Sequence, residues 1–176
     1  MAVLILLYLV VIYNRLVKLR ALAREAWSGI TVQLRRRADL VPNLVSAVKG
    51  YASHERELLE SVTAHRSDAL HTKTVGETAQ ADSAFGGMLG RLMAVAEAYP
   101  DLKADANFRQ FQSELAQIED ELAGARRYYN ATVRDLNTQV ESFPDVLVAR
   151  PFGFEKLESY ADADDSIRIA PKADFS

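Results

Sequence analysis

An all-α fold is predicted, with an N-terminal transmembrane helix, then an antiparallel up-and-down bundle of about four helices and an irregular C-terminal tail. Three features of the 176-residue sequence point to it. Met1–Tyr13 carries no charge and is almost wholly apolar. Apolar residues then recur at spacings of three and four over long stretches, the period of one helix face. Gly (8) and Pro (5) are too scarce for a turn-rich all-β chain.

Apolar residues make up 49% and charged residues 26%, which places the chain among folded proteins rather than disordered ones. The length suits one domain with a core of its own. Cysteine is absent, which excludes disulfides, zinc–thiolate sites, iron–sulfur clusters and thiol nucleophiles together. The net charge of −3 does not suggest a nucleic-acid partner. The distribution of charge says more. Residues 14–50 hold eight Lys/Arg against two acids, a balance of +6, and residues 51–176 hold the other 13 basic and 22 acidic residues, a balance of −9. A basic N-terminal third is joined to an acidic body.

The run MAVLILLYLVVIY lacks the positive leader and the cleavage site of a secretory signal. It is apolar on every side, unlike a core helix with one apolar face. A membrane anchor over residues 1–20 is the reading that remains, with Met1, Leu4, Leu6, Leu7, Tyr8, Val10, Ile12 and Tyr13 in lipid and Arg15, Lys18 and Arg20 at the headgroups. Thirteen residues reach only ~20 Å against a hydrocarbon core of ~30 Å, a mismatch that favours clustering of short helices. Basic residues follow the run and none precedes it, so the positive-inside rule places the N-terminus outside and the body in the cytoplasm.

The body, residues 21–149, is read as helices. Trp27, Ile30, Leu34, Val41, Leu44 and Val48 form one stripe, and Pro42 is expected to kink it or to start a new helix. The stripe resumes through Leu58, Leu59 and Val62. His71–Asp82 is rich in Thr and small polar residues and reads as a loop. A third helix runs from about Ser83 to Tyr99. The clearest stripe is the fourth: Phe108, Phe111, Leu115, Ile118, Leu122, Ala125, Tyr129, Val133, Leu136 and Val140, with Asp105 as N-cap and Pro144 as terminator. Residues 150–176 form the tail, where 166–170 could make only a short strand and Ile167 and Ile169 are candidates for packing on a neighbouring subunit.

No constellation carries a recognisable chemistry. His54-Glu55 lacks a second histidine at position 58, which is Leu58. Asp162, Asp164 and Asp165 lack the glycine and terminal glutamate of a calcium loop. Gly86, Gly87 and Gly90 have no phosphate-binding lysine, and Gly86 and Gly90 are read as points of close helix approach. In Arg35-Arg36-Arg37 the three side chains point in different directions on a helix, so a bundle surface with one arginine pairing Asp39 or a neighbouring helix is expected. No cofactor is expected, and no enzyme activity.

Several blocks together resemble the LemA family: Tyr13-Asn14-Arg15-Leu16-Val17-Lys18-Leu19-Arg20, Ala26-Trp27-Ser28, Arg36-Arg37-Ala38-Asp39-Leu40-Val41-Pro42-Asn43-Leu44-Val45, Val48-Lys49-Gly50-Tyr51-Ala52-Ser53-His54-Glu55, Ala94-Val95-Ala96-Glu97-Ala98-Tyr99-Pro100-Asp101-Leu102-Lys103-Ala104, Arg126-Arg127-Tyr128-Tyr129-Asn130 and Phe152-Gly153-Phe154. The resemblance spans nearly the whole chain and is weakest at 64–84. It implies a bacterial inner-membrane protein with one N-terminal helix and a helical bundle facing the cytoplasm. No catalytic residues carry over. It also selects a polar set, Asp39, Asn43, Arg126 and Asn130, expected to fix helix register around Pro42. The functional expectation is a non-enzymatic scaffold that self-associates at the membrane, with lipids and further copies of itself as partners. The alternative is an adaptor for a membrane protease or an envelope-stress pathway, which would bring a membrane-protein partner.

Overall fold

The computed structural model describes residues 2–52 and 54–160. Among them lie α1 (Ala2–Tyr51), α2 (Arg56–Leu70), α3 (Val75–Ala96), the single turn α4 (Pro100–Ala104), α5 (Ala106–Glu141) and the single turn α6 (Val146–Ala149), and no strand is present among the described residues. Helix α1 has 50 residues and a length of about 75 Å. Its buried residues run Ile12, Leu16, Ala23, Ala26, Ile30, Leu34, Arg37, Ala38, Val41, Leu44 and Val48, a single stripe of three-, four- and seven-residue steps with Arg37 and Ala38 side by side in it.

Three apolar clusters stack along that stripe and define the topology. Ile12 and Leu16 pack with Leu136 and Val140. Ala23, Ala26, Ile30 and Leu34 pack with Leu122, Tyr129 and Val133. Val41, Leu44 and Val48 pack with Phe108 and Phe111. Rising numbers in α1 meet falling numbers in α5, so the two helices are antiparallel. Helix α2 descends beside α1, with Leu59 near Val45 and Lys49, and Leu70 near Thr31 and Leu34. Helix α3 rises again, its Ala79, Phe85 and Leu92 joining successive clusters. The result is an up-down-up-down bundle, with α1 as its longest member.

Pro42 does not break α1. A proline leaves the carbonyl four residues before it without its helical donor. That carbonyl belongs to Ala38, and the Arg66 side chain of α2 donates to it through Nε at 2.6 Å. The same guanidinium stands 3.8 Å from Asp39, which is 64% exposed. A neighbouring helix therefore supplies what the proline removes, and the helix runs through.

The predicted loop at His71–Asp82 is too long. Only residues 71–74 separate α2 from α3. Thr74 accepts from the Glu77 amide at 3.1 Å while the Glu77 carboxylate accepts from the Lys73 and Thr74 amides at 2.9 and 3.1 Å. This is a reciprocal capping box, and the two amides hold the Glu77 carboxyl below its usual value. Asp105 caps α5 as expected, accepting from the Asn107 and Phe108 amides at 2.9 and 3.0 Å.

The tail meets its own bundle over its described part. Asn130 and Asn137, one heptad apart on α5, each exchange two hydrogen bonds with an extended main chain. Asn137 Nδ2 donates to the Leu157 carbonyl and its Oδ1 accepts from the Leu157 amide, both at 2.8 Å. Asn130 does the same at Tyr160, at 3.0 and 2.8 Å. Seven helical residues rise ~10.5 Å and three extended residues ~10 Å, so the two repeats match. Over residues 157–160 the tail is thus held by its own chain. Ile167 and Ile169 lie outside the described residues.

Leu122 is fully buried where α1, α3 and α5 meet, whereas Leu115 packs only at the cluster edge. Leu122→Ala is expected to cost ~2–5 kcal/mol and Leu115→Ala clearly less. Chemical denaturation of the two variants checks the order, and equal losses would contradict the packing described.

Candidate functional site: a buried arginine–aspartate centre and an apolar stem

Two features stand out from an ordinary bundle. The first is inside it. Arg37 and Asp82 are each only 2% exposed, and each sits on an apolar stripe. Arg37 falls between Leu34 and Val41 on α1, and Asp82 between Ala79 and Phe85 on α3. Arg37 Nη2 pairs with Asp82 Oδ1, and its Nη1 donates to Glu119 Oε1 on α5 at 2.8 Å. The other Asp82 oxygen, Oδ2, accepts from Arg126 of α5 and from the Tyr160 hydroxyl. One carboxylate thus ties together α1, α3, α5 and the C-terminal segment.

Aromatic rings close the centre. Arg37 lies over the Phe85 ring at 5.0 Å and Arg126 over the Tyr160 ring at 5.2 Å, both within the range of attraction between a cation and a ring face. Trp27 packs against Tyr129 and Tyr160 at centroid distances of 5.4 and 6.3 Å. Burial pushes the Tyr160 hydroxyl well above its ordinary range, and the Asp82 charge adds to the effect against an opposing contribution from Arg126. Burial likewise raises Tyr129. Shallow surface grooves lie along the bundle among the described residues, and Arg37, Asp82 and Tyr160 do not line those between α1 and α2, between α1 and α5, or beside Trp27. The arrangement can hold four chain segments in register. With every described oxygen of Asp82 occupied by donors, it offers no free base.

The sequence-derived polar set separates into two places. Arg126 and Asn130 serve the centre and the tail, as described. Asp39 faces Arg66 beside Pro42, and Asn43 is exposed along the groove between α1 and α5. The four do not form one constellation around Pro42, because α5 passes that level of α1 with Phe108–Glu114 rather than with Arg126. Arg35-Arg36-Arg37 does reach a neighbouring helix, as expected, and in two ways. Arg36 pairs with Glu121 at 2.6 Å on the surface, while Arg37 is interior. Gly86 and Gly90 do not mark an obligatory close approach: a Cβ at Gly86 would meet Arg37 at an ordinary 3.9 Å, and one at Gly90 would meet nothing within 4 Å. Among the described residues no three His, Asp or Glu side chains gather as a metal site.

The second feature is the free end of α1. Leu4, Leu6, Leu7, Tyr8, Val10 and Tyr13 are exposed, as are Arg15 and Lys18. Ile12 is the exception among the expected lipid-facing residues. It is buried against Leu136, Val140 and Val148, because packing begins before the expected 20/21 boundary. Arg20 turns inward, its guanidinium 4.5 Å from the Phe154 ring centroid. Met1 lies outside the described residues. By length and composition α1 can cross a membrane, and it is the one described helix that can.

Removing the Asp82 carboxylate leaves Arg37 buried without its main counter-charge. Asp82→Ala is expected to cost ~3–5 kcal/mol, and Asp39→Ala, at an exposed pair, ~0–1 kcal/mol. Urea denaturation of both variants checks the contrast. The pH dependence has a defined sign. Tyr160 is held protonated above the ordinary tyrosine value of 10.0, so its contribution to stability is full below pH 10 and falls as the pH rises beyond it. Melting temperatures from pH 8 to 11 should therefore fall more steeply in the wild type than in Tyr160→Phe, and parallel curves would contradict this.

Comparison of the sequence with known proteins finds relatives along most of the chain. Magnetosome protein MamQ of Magnetospirillum gryphiswaldense is 25% identical over 188 aligned positions, covering 91% of this chain and 69% of that protein. Magnetosome protein MamQ 2 of Paramagnetospirillum magneticum is 26% identical with the same coverage. Protein LemA of Metamycoplasma hominis is 30% identical over 152 positions, covering 84% of this chain and 65% of its own length. The family model described as LemA family matches residues 26–175, a span that takes in the Arg37–Asp82–Arg126–Tyr160 centre and both asparagine clasps, and the chain belongs to the LemA family.

Proposed function

We propose that the protein is a non-enzymatic scaffold, anchored in the bacterial inner membrane by the free end of α1 with its bundle in the cytoplasm, and that it self-associates there. One observation carries the reading. Helix α1 is a single helix from its exposed apolar end to the far end of the bundle. A body built on such a rod has no hinge at the point where it leaves the membrane, so it presents its surfaces at a set height and direction. That suits a protein whose work is to hold neighbours in place. The basic segment 14–50 and the acidic remainder favour contacts between copies, since opposite charges can face each other across an interface. The adaptor reading draws on the groove between α1 and α5, lined by Asn43, Ser46, Gln110 and Glu114, which offers hydrogen-bonding groups to a partner chain.

Topology and assembly are both measurable on the full chain. A tag placed after Ser176 should resist protease in intact cells and be digested after lysis. Extraction in mild detergent followed by mass measurement should give a species larger than the monomer. Monomers over a wide concentration range would sink self-association, and stoichiometric recovery of a different protein would favour the adaptor.

A further inference from the structure

The end of the bundle from which α1 emerges is apolar where it should be wet. Phe143 is 80% exposed, Leu147 62% and Phe152 63%. Single exposed apolar residues are common on any surface, but contiguous ones mark a contact. These three are brought together. Val140 of α5 packs on Ile12, and Phe143 follows it by less than one turn in the direction of the exposed end of α1. Val148 and Ala149 of α6 are buried in the same cluster, which leaves their neighbour Leu147 facing outward. Gly153 has φ +66°, a left-handed conformation that side chains disfavour, and it reverses the chain between Phe152 and Phe154. Phe154 goes in, to the cluster of Ile12 and Leu16, and Phe152 stays out, 5.1 Å from the Tyr13 ring.

We infer that Phe143, Leu147 and Phe152 form a collar around α1 that enters the lipid interface, so that the end of the bundle itself is seated in the bilayer surface. The inference rests on the membrane-anchored reading of α1. The collar is continuous through Tyr13 with the exposed apolar surface of residues 3–11, so a bilayer that receives one meets the other. Aromatic side chains suit the boundary between headgroups and acyl chains. The charges fit as well. Arg15 and Lys18, two and five residues beyond Tyr13 on α1, and Arg150, between Leu147 and Phe152 in the chain, are exposed and free to meet phosphates. Of the acids at this end, Asp145 is buried, Glu141 is paired with Lys156 at 2.8 Å, and Glu155 is exposed.

Fluorescence from tryptophans placed one at a time in the full chain tests this. The chain would be reconstituted in phosphatidylcholine–phosphatidylglycerol vesicles, with the acyl chains brominated either near the headgroup or near the bilayer centre. Phe143→Trp, Leu147→Trp and Phe152→Trp report the collar, Leu7→Trp reports the anchor, and the contribution of Trp27 is subtracted using the wild type. Because the collar positions are largely exposed, these exchanges leave the core unchanged, which thermal unfolding verifies. Each collar tryptophan should lose about half or more of its added fluorescence to the shallow bromines and less to the deep ones, as expected for ~5–10 Å of burial. Leu7→Trp should be quenched by the deep bromines. Quenching at Leu7→Trp with none at the collar would overturn the collar and leave the anchor standing. Collar quenching without quenching at Leu7→Trp would support the collar and remove the spanning reading. A blue-shifted but unquenched collar would mean that another copy or another protein covers it, which also overturns the inference.

Discussion

The charge on Asp82 organises this bundle. A carboxylate taken out of water costs several kcal/mol unless donors surround it, and here they come from three directions. Arg37 approaches from α1, Arg126 from α5, and the Tyr160 hydroxyl from the segment after α6. Apolar stripes alone permit two helices to slide or rotate by a turn at modest cost. A buried carboxylate with three named donors does not, because any slip leaves at least one of them unpaired. The apolar clusters supply the driving force for packing, and the Asp82 centre selects one register among those the stripes allow.

Much of this was legible. The stripe of Phe108, Phe111, Ile118, Leu122 and Leu136 alone identifies α5, and Asp105 marks its start. Two things misled. Pro42 carries a strong local signal, and what overrides it, the Arg66 guanidinium on the Ala38 carbonyl, comes from a different helix. Small polar residues make His71–Asp82 read as a loop, although Thr74-Val75-Gly76-Glu77 has the capping-box spacing that starts a helix. Once α3 begins at Val75, Asp82 falls on its apolar stripe. The interval from Leu34 to Val41 likewise has Arg37 at its middle. A positive and a negative residue, each on an otherwise apolar face, are the signature of a buried pair, and that signal was available without coordinates. The asparagine clasps were only half visible: Asn130 stood in a recognisable block, while Asn137 acquires meaning only when an extended chain lies beside α5.

The two ends of α1 meet different demands. From Ile12 onward every buried position answers to a partner on α2, α3, α5, α6 or the tail, and before it the apolar side chains face outward on all sides. The change takes place within one turn and without a change of backbone. The same helix therefore serves as core element and as stem, and Tyr13 with Phe152 and Phe154 forms the aromatic joint between these uses.

The clasp of Asn130 and Asn137 on residues 157–160 also sets an order of events in time. A chain is made from its N-terminus, and α1 is complete long before α5, its principal partner, exists. The separations are large: Arg37 waits 45 residues for Asp82 and 82 for Glu119, and Asp82 waits a further 78 for Tyr160. Contacts so distant in sequence form slowly, since loop entropy must be overcome first. The segment carrying Tyr160 is synthesised after every other partner of Asp82, so the centre has its full set of donors only once that segment has joined the bundle.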